Sequence, residues 1–144
     1  MLDKFIEMPI WSHILINLWG VPLYFLLIYL IDKKKINNIR TGNIEENFDV
    51  VKKADWVVEA VVERIDIKQN LYQKILKVRK KDSIVSSNTS TIPLKVLSAK
   101  MSDEDKKDFC ITHFFNPVRY MGLLEIVSET INDVKKINFL KNFC

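Results

Sequence analysis

Short apolar runs that end in polar side chains are the feature that most restricts the fold of this chain. Ile84-Val85 leads into the polar run 86–91, and Cys110-Ile111-Thr112 leads into His113. Such runs, bounded by turn residues, are typical of buried β-strands. In an open α/β sheet, functional groups collect just beyond the carboxyl ends of the strands. The pattern therefore predicts a sheet whose strand ends line one crevice.

The polar residues of this crevice could transfer a proton and bind a small polar ligand. His113 can accept or release a proton near neutral pH. Glu125 lies inside the apolar run 123–127, where a carboxylate needs a partner, and His113 is the candidate across two neighbouring strand ends. The carboxylate would orient the imidazole ring and stabilise its protonated form. Ser90 and Asn116 could hydrogen-bond a substrate oxygen or a cofactor amide.

Each of these residues also has a purely structural interpretation. A single histidine at a strand end is more often a structural residue than a catalytic base. A glutamate in an apolar run often faces solvent at a sheet edge. Taken one at a time, the residues leave both interpretations open.

Several separate motifs occur in an order that resembles one enzyme family. They are Ala54-Asp55-Trp56-Val57-Val58-Glu59-Ala60-Val61-Val62-Glu63-Arg64, Ser87-Asn88-Thr89-Ser90, His113-Phe114-Phe115-Asn116-Pro117 and Glu125. Together they resemble the NAD-binding domain of the 3-hydroxyacyl-CoA dehydrogenases, from Arg40 to Glu129. The resemblance implies an α/β, Rossmann-like, doubly wound and mostly parallel sheet. It also implies an oxidoreductase of fatty acid beta-oxidation, which converts a 3-hydroxyacyl-CoA to the 3-ketoacyl-CoA with hydride transfer to NAD.

The resemblance implies a role for each matching residue of the crevice. His113 falls on the family's general base, and Glu125 falls on the carboxylate that orients it. Ser90 falls on a serine beside the reacting hydroxyl and the nicotinamide. Asn116 falls on an asparagine that helps to hold both cofactor and substrate.

The cofactor side of the family's site is matched only in part. Glu63 and Lys68 fall on cofactor contacts, and Asp32 could be the acid that holds the adenosine ribose. No G-x-G-x-x-G motif occurs, because the only glycines are at positions 20, 42 and 122. Glycine lets the backbone approach the pyrophosphate, which then lies at a helix N-terminus. We therefore expect a damaged first βαβ unit, an incomplete sheet and weak NAD affinity.

The stretch from Ile14 to Ile31 contains no charged residue and allows two interpretations. Its length is at the lower limit of a membrane span, and the lysines at 33–35 form a basic flank. Alternatively, Ser12 to Trp19 is the end of a helix that stops at Gly20, and Val21 to Ile31 is a buried strand. The second interpretation is the preferred one.

Composition narrows the class of protein. The chain has 144 residues, is 48% hydrophobic and 28% charged, and carries a net charge of +4. The positive charges are mostly dispersed lysines, which argues against nucleic acid as a partner. Two cysteines predict no disulfide framework and favour the cytoplasm. Cys110 and His113 lack a second pair of ligands, so no metal site is expected.

Three regions and several local elements are predicted. Residues 1–39 form a divergent apolar region, residues 40–129 the Rossmann-like core, and residues 130–144 a C-terminal helix or tail. The family's helical C-terminal domain is expected to be absent from this sequence. Helices are expected from Ile44 to Lys53, from Ile67 to Arg79 and from Ser128 to Asn142, together with a short helix that has Pro93 in its first turn and Thr91 as a candidate cap. Strands are expected from Trp56 to Ala60 and from Ile84 to Ser87. Residues 102–107 are expected to be a solvated segment.

Three functional hypotheses follow. The chain could act on an acyl-CoA substrate, with a partner chain supplying the missing helical domain. It could be a non-catalytic remnant or one half of a split enzyme. It could also be a small membrane-associated protein anchored from Ile14 to Ile31.

Overall fold

The computed structural model describes residues 13–16, 39–118 and 120–144. The strands are β1 (His13–Ile16), β2 (Trp56–Glu59), β3 (Ile84–Ser87), β4 (Phe109–Phe114) and β5 (Leu124–Val127). The helices are α1 (Ile44–Asn47), a 3-10 helix (Phe48–Lys53), α2 (Ile65–Val78), α3 (Leu94–Leu97), α4 (Asp103–Lys106) and α5 (Val134–Phe143).

The described strands form one sheet in the order β1-β2-β3-β4-β5. Neighbouring strands from β1 to β4 are parallel, and β5 is antiparallel to β4. Parallel neighbours need a crossover connection, which α2 provides between β2 and β3, and α3 with α4 provides between β3 and β4. The carboxyl ends of β2, β3 and β4 therefore meet at one edge of the sheet.

Apolar side chains cover both faces of this sheet. Successive residues of a strand point to opposite faces, so the strands contribute to two separate cores. One core packs strand residues against α2 and contains Val57, Val85, Ile111, Tyr72 and Ile75. The other packs strand residues against α5 and contains Trp56, Ile84, Cys110, Ile137 and Leu140. Helices on both faces of a mostly parallel sheet make the fold Rossmann-like.

The long helix α2 shows why the sequence folds this way. Its buried residues Lys68, Leu71, Tyr72 and Ile75 recur at helical spacing and face the sheet. The helix begins two residues before the predicted Ile67 and ends one residue before the predicted Arg79. Lys68, predicted as a cofactor contact, therefore lies on the buried face.

The prediction of a helix from Ser12 to Trp19 is wrong at its centre. Residues His13–Ile16 form β1, and Ile14 pairs with Val57 of β2 in parallel register. The β-branched residues Ile14 and Ile16 favour a strand, and periodicity alone cannot separate a short buried strand from a helix. The backbone partners in β2 decide the conformation. The rest of the stretch to Ile31 and Asp32 lie outside the described residues.

Two shorter predictions also need correction, and a third is confirmed. Thr91 does not cap the helix after it, because Pro93 holds the N-cap position and the Thr91 hydroxyl donates to Glu63 at 3.2 Å. The segment 102–107 has no buried residue, as predicted for a solvated segment, and it contains α4, whose N-cap Ser102 accepts from the Asp105 N–H at 3.1 Å. The C-terminal helix begins at Val134 rather than Ser128, because the Asp133 carboxylate caps it.

No helix among the described residues is long and apolar enough to cross a membrane. The division into residues 1–39, 40–129 and 130–144 stays a prediction. The last of these regions contains a helix that packs on the sheet through Ile137 and Leu140.

Candidate active site

An open cleft of about 200 Å³ lies at the carboxyl ends of β3 and β4. One wall is the loop and helix start that follow β3, at residues 89–94. The opposite side consists of strand residues, which are Ile111, His113, Glu125 and Val127. The cleft therefore lies where the sequence predicts a crevice, beside the carboxyl ends of neighbouring parallel strands.

His113 and Glu125 lie directly opposite each other in the antiparallel pair β4 and β5. His113 Nδ1 is 2.8 Å from Glu125 Oε2. An ionised carboxylate can only accept, so Nδ1 carries the proton and Nε2 is left as an acceptor. The histidine side chain is 19% exposed and the glutamate 53% exposed, so both can be reached by a ligand. The arrangement is that of a base with its orienting group.

Ser90 and Asn116 occupy different places relative to this pair. Ser90 is exposed and lines the cleft together with His113 and Glu125. Asn116 is exposed on the loop after β4 and is not among the residues that line the cleft. The structure thus brings three of the four predicted catalytic residues together and leaves Asn116 outside.

Glu63 contacts the cleft wall that Ser90 belongs to, although it is not among the residues that line the cleft. It accepts hydrogen bonds from the hydroxyls of Thr89 and Thr91, which flank Ser90, and from Lys68 Nζ at 3.2 Å. Partial burial raises the pKa of Glu63, but the hydrogen bonds from Thr89 and Lys68 and the charge of Lys68 together lower it below its ordinary value. The side chain remains 39% exposed and ionised at neutral pH, so it can still accept a bond from a ligand.

Lys68 is buried, with 1% of its side chain exposed. Its ammonium group donates to Glu59 at 2.7 Å, to the Val61 carbonyl at 3.3 Å and to Glu63 at 3.2 Å. Three oxygen atoms therefore surround the ammonium group. A direct contact with a cofactor stays a prediction, and the described contacts connect Lys68 to the cleft through Glu63.

Comparison with known proteins places this site in a family. The family model described as "3-hydroxyacyl-CoA dehydrogenase, NAD binding domain" matches residues 29–144. This chain belongs to that family. The resemblance inferred from the motifs is therefore confirmed.

Curated relatives agree with the assignment. A putative fatty acid oxidation complex trifunctional enzyme from Rickettsia felis is 43% identical over 109 residues, which cover 76% of this chain and 15% of the relative. A probable 3-hydroxyacyl-CoA dehydrogenase from Bacillus subtilis is 40% identical over 114 residues, which cover 79% of this chain and 14% of the relative. The chain thus spans about one seventh of the length of these relatives.

Solved structures confirm the Rossmann-like fold. The (S)-3-hydroxybutyryl-CoA dehydrogenase from Ralstonia eutropha has a TM-score of 0.69 at 27% identity, over 83% of this chain and 44% of that one. A diketoreductase has a TM-score of 0.77 at 20% identity, over 97% of this chain and 53% of that one. The second likeness is one of fold alone.

In this member of the 3-hydroxyacyl-CoA dehydrogenase family, two residues near the cleft have structural roles that the sequence analysis does not predict. Glu59, at the end of β2, is fully buried and accepts a hydrogen bond from Lys68. Asn88 accepts from the Phe114 N–H at 2.9 Å and so ties the loop after β3 to the strand that carries His113. Glu59 lies in an apolar run, as Glu125 does, and this pattern predicts that its carboxylate needs a partner. Asn88 gives no such signal, because its partner is remote in sequence.

Burial and charge also fix the state of a tyrosine beside Glu59. Burial and the Glu59 carboxylate raise the pKa of Tyr72 above its ordinary value. The phenol therefore stays protonated and donates to Glu59 Oε2 at 2.5 Å. Among the described residues, the Glu59 carboxylate therefore accepts hydrogen bonds only from neutral groups and from the positively charged Lys68.

Proposed function

We propose that this chain is the NAD-binding part of a 3-hydroxyacyl-CoA dehydrogenase, which oxidises the 3-hydroxyl of an acyl-CoA to a ketone. The observation that supports this proposal is the His113–Glu125 pair at 2.8 Å in a cleft shared with Ser90. Membership of the family supplies the substrate class and the cofactor. We assign the chain to the cytoplasm, where its two free thiols would stay reduced.

The proton moves to His113 in this proposal. The 3-hydroxyl gives its proton to Nε2, the O–H and C3–H bonds break, and the C3–O bond becomes a carbonyl. Bound NAD would supply the acceptor for the hydride that leaves C3. Glu125 stabilises the resulting imidazolium through Nδ1 and keeps the ring in the tautomer that can accept.

The other residues bind and align the reactants. Ser90 would donate a hydrogen bond to the substrate oxygen or the nicotinamide amide, because its hydroxyl is exposed in the cleft. Asn116 would reach the same ligands from the loop after β4. Glu63 would accept hydrogen bonds from the cofactor, with Lys68 as its support.

The donor set fits one end of NAD better than the other. The hydroxyl of Ser90 and the carboxylate of Glu63 suit a polar amide and ribose hydroxyls. The residues that follow β1, where a pyrophosphate would lie, and Asp32, proposed for the adenosine ribose, are outside the described residues. The sequence offers only Gly20 there, so we propose that NAD binds with low affinity.

Residues beyond this sequence would complete the acyl-CoA side of the cleft. The cleft is open, and the Rickettsia felis relative, named a trifunctional enzyme, is matched over 15% of its length. We propose that a helical domain, on the same polypeptide or a partner chain, supplies the remaining wall. Alignment of the reactants then depends on that domain.

NADH binding to the purified chain tests the proposal first. Titration of NADH fluorescence should show saturable binding below millimolar concentration, and this binding should weaken in Glu63→Ala. Glu45→Ala is the matched control, because Glu45 is an exposed glutamate on α1. Loss of binding in both variants would show a general effect of charge instead.

Reduction of acetoacetyl-CoA by NADH tests the proton transfer. His113→Ala should abolish turnover and leave NADH binding intact, because His113 acts on the substrate. Turnover that persists in His113→Ala would contradict the assignment of the base.

The missing glycine motif favours a second candidate, a non-catalytic remnant or one half of a split enzyme. Absence of NADH binding up to millimolar concentration would support this candidate and overturn a stand-alone enzyme.

A further inference from the structure

Glu59 is a buried charge to which the proposed reaction gives no role. Its Oε1 accepts from Lys68 Nζ at 2.7 Å and from the Val61 N–H at 2.6 Å. Its Oε2 accepts from the Tyr72 hydroxyl at 2.5 Å and the Ser87 hydroxyl at 2.8 Å. A carboxylate without water is costly unless such donors surround it. The four hydrogen bonds therefore hold the Glu59 side chain in one position, and they also restrain the four groups that donate them.

Two routes lead from Glu59 to the cleft wall. The short route passes through Ser87, whose hydroxyl also accepts from the Thr89 N–H at 3.3 Å. The longer route passes through Lys68 to Glu63, which accepts from the hydroxyls of Thr89 and Thr91. Both routes end on residues that flank Ser90 and line the cleft.

We infer that Glu59 is a positioning residue, which holds Lys68, Glu63 and the loop 87–91 in the arrangement that binds the cofactor. The inference rests on the proposed function of the cleft as an NAD site. Glu59 itself does not line the cleft, so it acts only through these neighbours. A change at Glu59 should therefore alter cofactor affinity more than proton transfer by His113.

If Glu59 has a purely structural role, the variants Tyr72→Phe and Glu59→Gln should give a different result. Tyr72→Phe removes one donor from the same carboxylate and leaves both routes to the cleft intact. Glu59→Gln keeps the size of the side chain and removes the charge that holds Lys68. If Glu59 only stabilises the fold, the two variants should differ in stability but not in their effect on the cleft.

The first measurement is the Kd for NADH in the wild-type chain, Glu59→Gln and Tyr72→Phe, at a temperature where circular dichroism shows all three folded. We expect a Kd about tenfold higher in Glu59→Gln, the loss typical of one charge-assisted hydrogen bond. Tyr72→Phe should match the wild type. An unchanged Kd in Glu59→Gln, or equal weakening in both variants, would overturn the inference.

The second measurement does not depend on the cofactor. The Ile92 N–H donates to the Thr89 hydroxyl at 3.0 Å, so its hydrogen exchange reports the order of the loop. Exchange should be faster in Glu59→Gln than in Tyr72→Phe, and equal rates would overturn the inference. If the wild-type chain binds no NADH, the proposed function fails while this comparison still decides the role of Glu59.

A third variant covers the case in which Glu59→Gln does not fold. Ser87→Ala cuts the short route and leaves the pair of Glu59 and Lys68 intact. It should also speed exchange of the Ile92 N–H, by a smaller factor. An Ile92 rate equal to that of the wild type would count against the inference.

Discussion

At the scale of single residues, the contact of His113 with Glu125 contributes little to the stability of the fold. Glu125 is 53% exposed, and ion pairs so open to water contribute about 1 kcal/mol or less to stability. The same contact fixes which imidazole nitrogen carries the proton, because the carboxylate accepts from Nδ1. The effect of a change at Glu125 should therefore appear in the rate.

Glu125→Gln tests this distinction. The amide keeps the size of the side chain but neither stabilises the imidazolium nor enforces the tautomer, so we expect kcat for acetoacetyl-CoA reduction to fall about 100-fold. The thermal midpoint and the Kd for NADH should stay near the wild-type values. A variant with wild-type kcat would show that Glu125 does not orient the base.

Glu63 links stability to pH at the same scale. Its pKa is lowered in the folded chain, so the carboxylate binds fewer protons there than in the unfolded chain. Its contribution to stability is therefore fully present above the unfolded pKa and is lost as pH falls through the folded pKa. We expect the difference in thermal midpoint between wild type and Glu63→Gln to shrink below about pH 4. Thermal melts of both proteins across this pH range measure it, and a difference that grows as pH falls would contradict the assigned direction.

At the scale of elements, α5 closes the second face of the sheet. Its Leu140 is fully buried against Trp56, Ile84 and Cys110, and Phe143 meets the Trp56 ring edge-on at 5.9 Å between centroids. Asp133 starts the helix by capping it, and Lys136 donates to Asp108 at 2.6 Å. The helix is thus an integral part of the described fold.

Leu140→Ala measures the contribution of that helix. Truncation of a buried leucine removes apolar burial and leaves a cavity, so the free energy of unfolding should fall by about 2–5 kcal/mol. Leu123→Ala is the matched control, because Leu123 is 56% exposed and its loss should cost about 0.5 kcal/mol or less. Urea denaturation of the three proteins compares them. Equal costs for the two variants would show that α5 does not pack on the sheet in solution.

At the scale of the whole molecule, two cores share one sheet, and Cys110 lies in the core beneath α5. Burial raises the pKa of the Cys110 thiol to about 12, and burial raises that of Cys144 to about 11. The thiolate is the reactive form, so Cys110 should react only when the core opens.

Thiol labelling of Cys144→Ser therefore reports opening of the fold. Cys110 is then the sole thiol, and its reaction with a disulfide reagent should be slow in buffer and fast above the urea midpoint. Cys110→Ala controls for the reactivity of Cys144. Fast labelling of Cys110 in buffer, without a change in circular dichroism, would contradict the burial of this core.

Local patterns predicted some of these elements and missed others for identifiable reasons. The helix α2 follows from its apolar spacing, and β3 from a short apolar run, because each signal lies within the element. Local pattern does not predict the strand β1, because its partner β2 lies more than forty residues away. Local pattern favours Thr91 as a cap, but its hydroxyl donates to Glu63, which belongs to the connection before α2 and is remote in sequence.

The amino-acid sequence alone is enough to predict the family, the mostly parallel sheet and one crevice that contains His113, Glu125 and Ser90. Those conclusions rest on motif order and on the rule that parallel strands end at one edge. The packing of separate elements is needed to show that Lys68 is buried, that Asn116 is not among the residues that line the cleft, and that Glu59 contacts Lys68 and Ser87. A buried charge is stable only where its partners converge, and Ser87 and Tyr72 reach Glu59 from separate elements. A local sequence pattern cannot predict these contacts, because only folding brings the separate elements together.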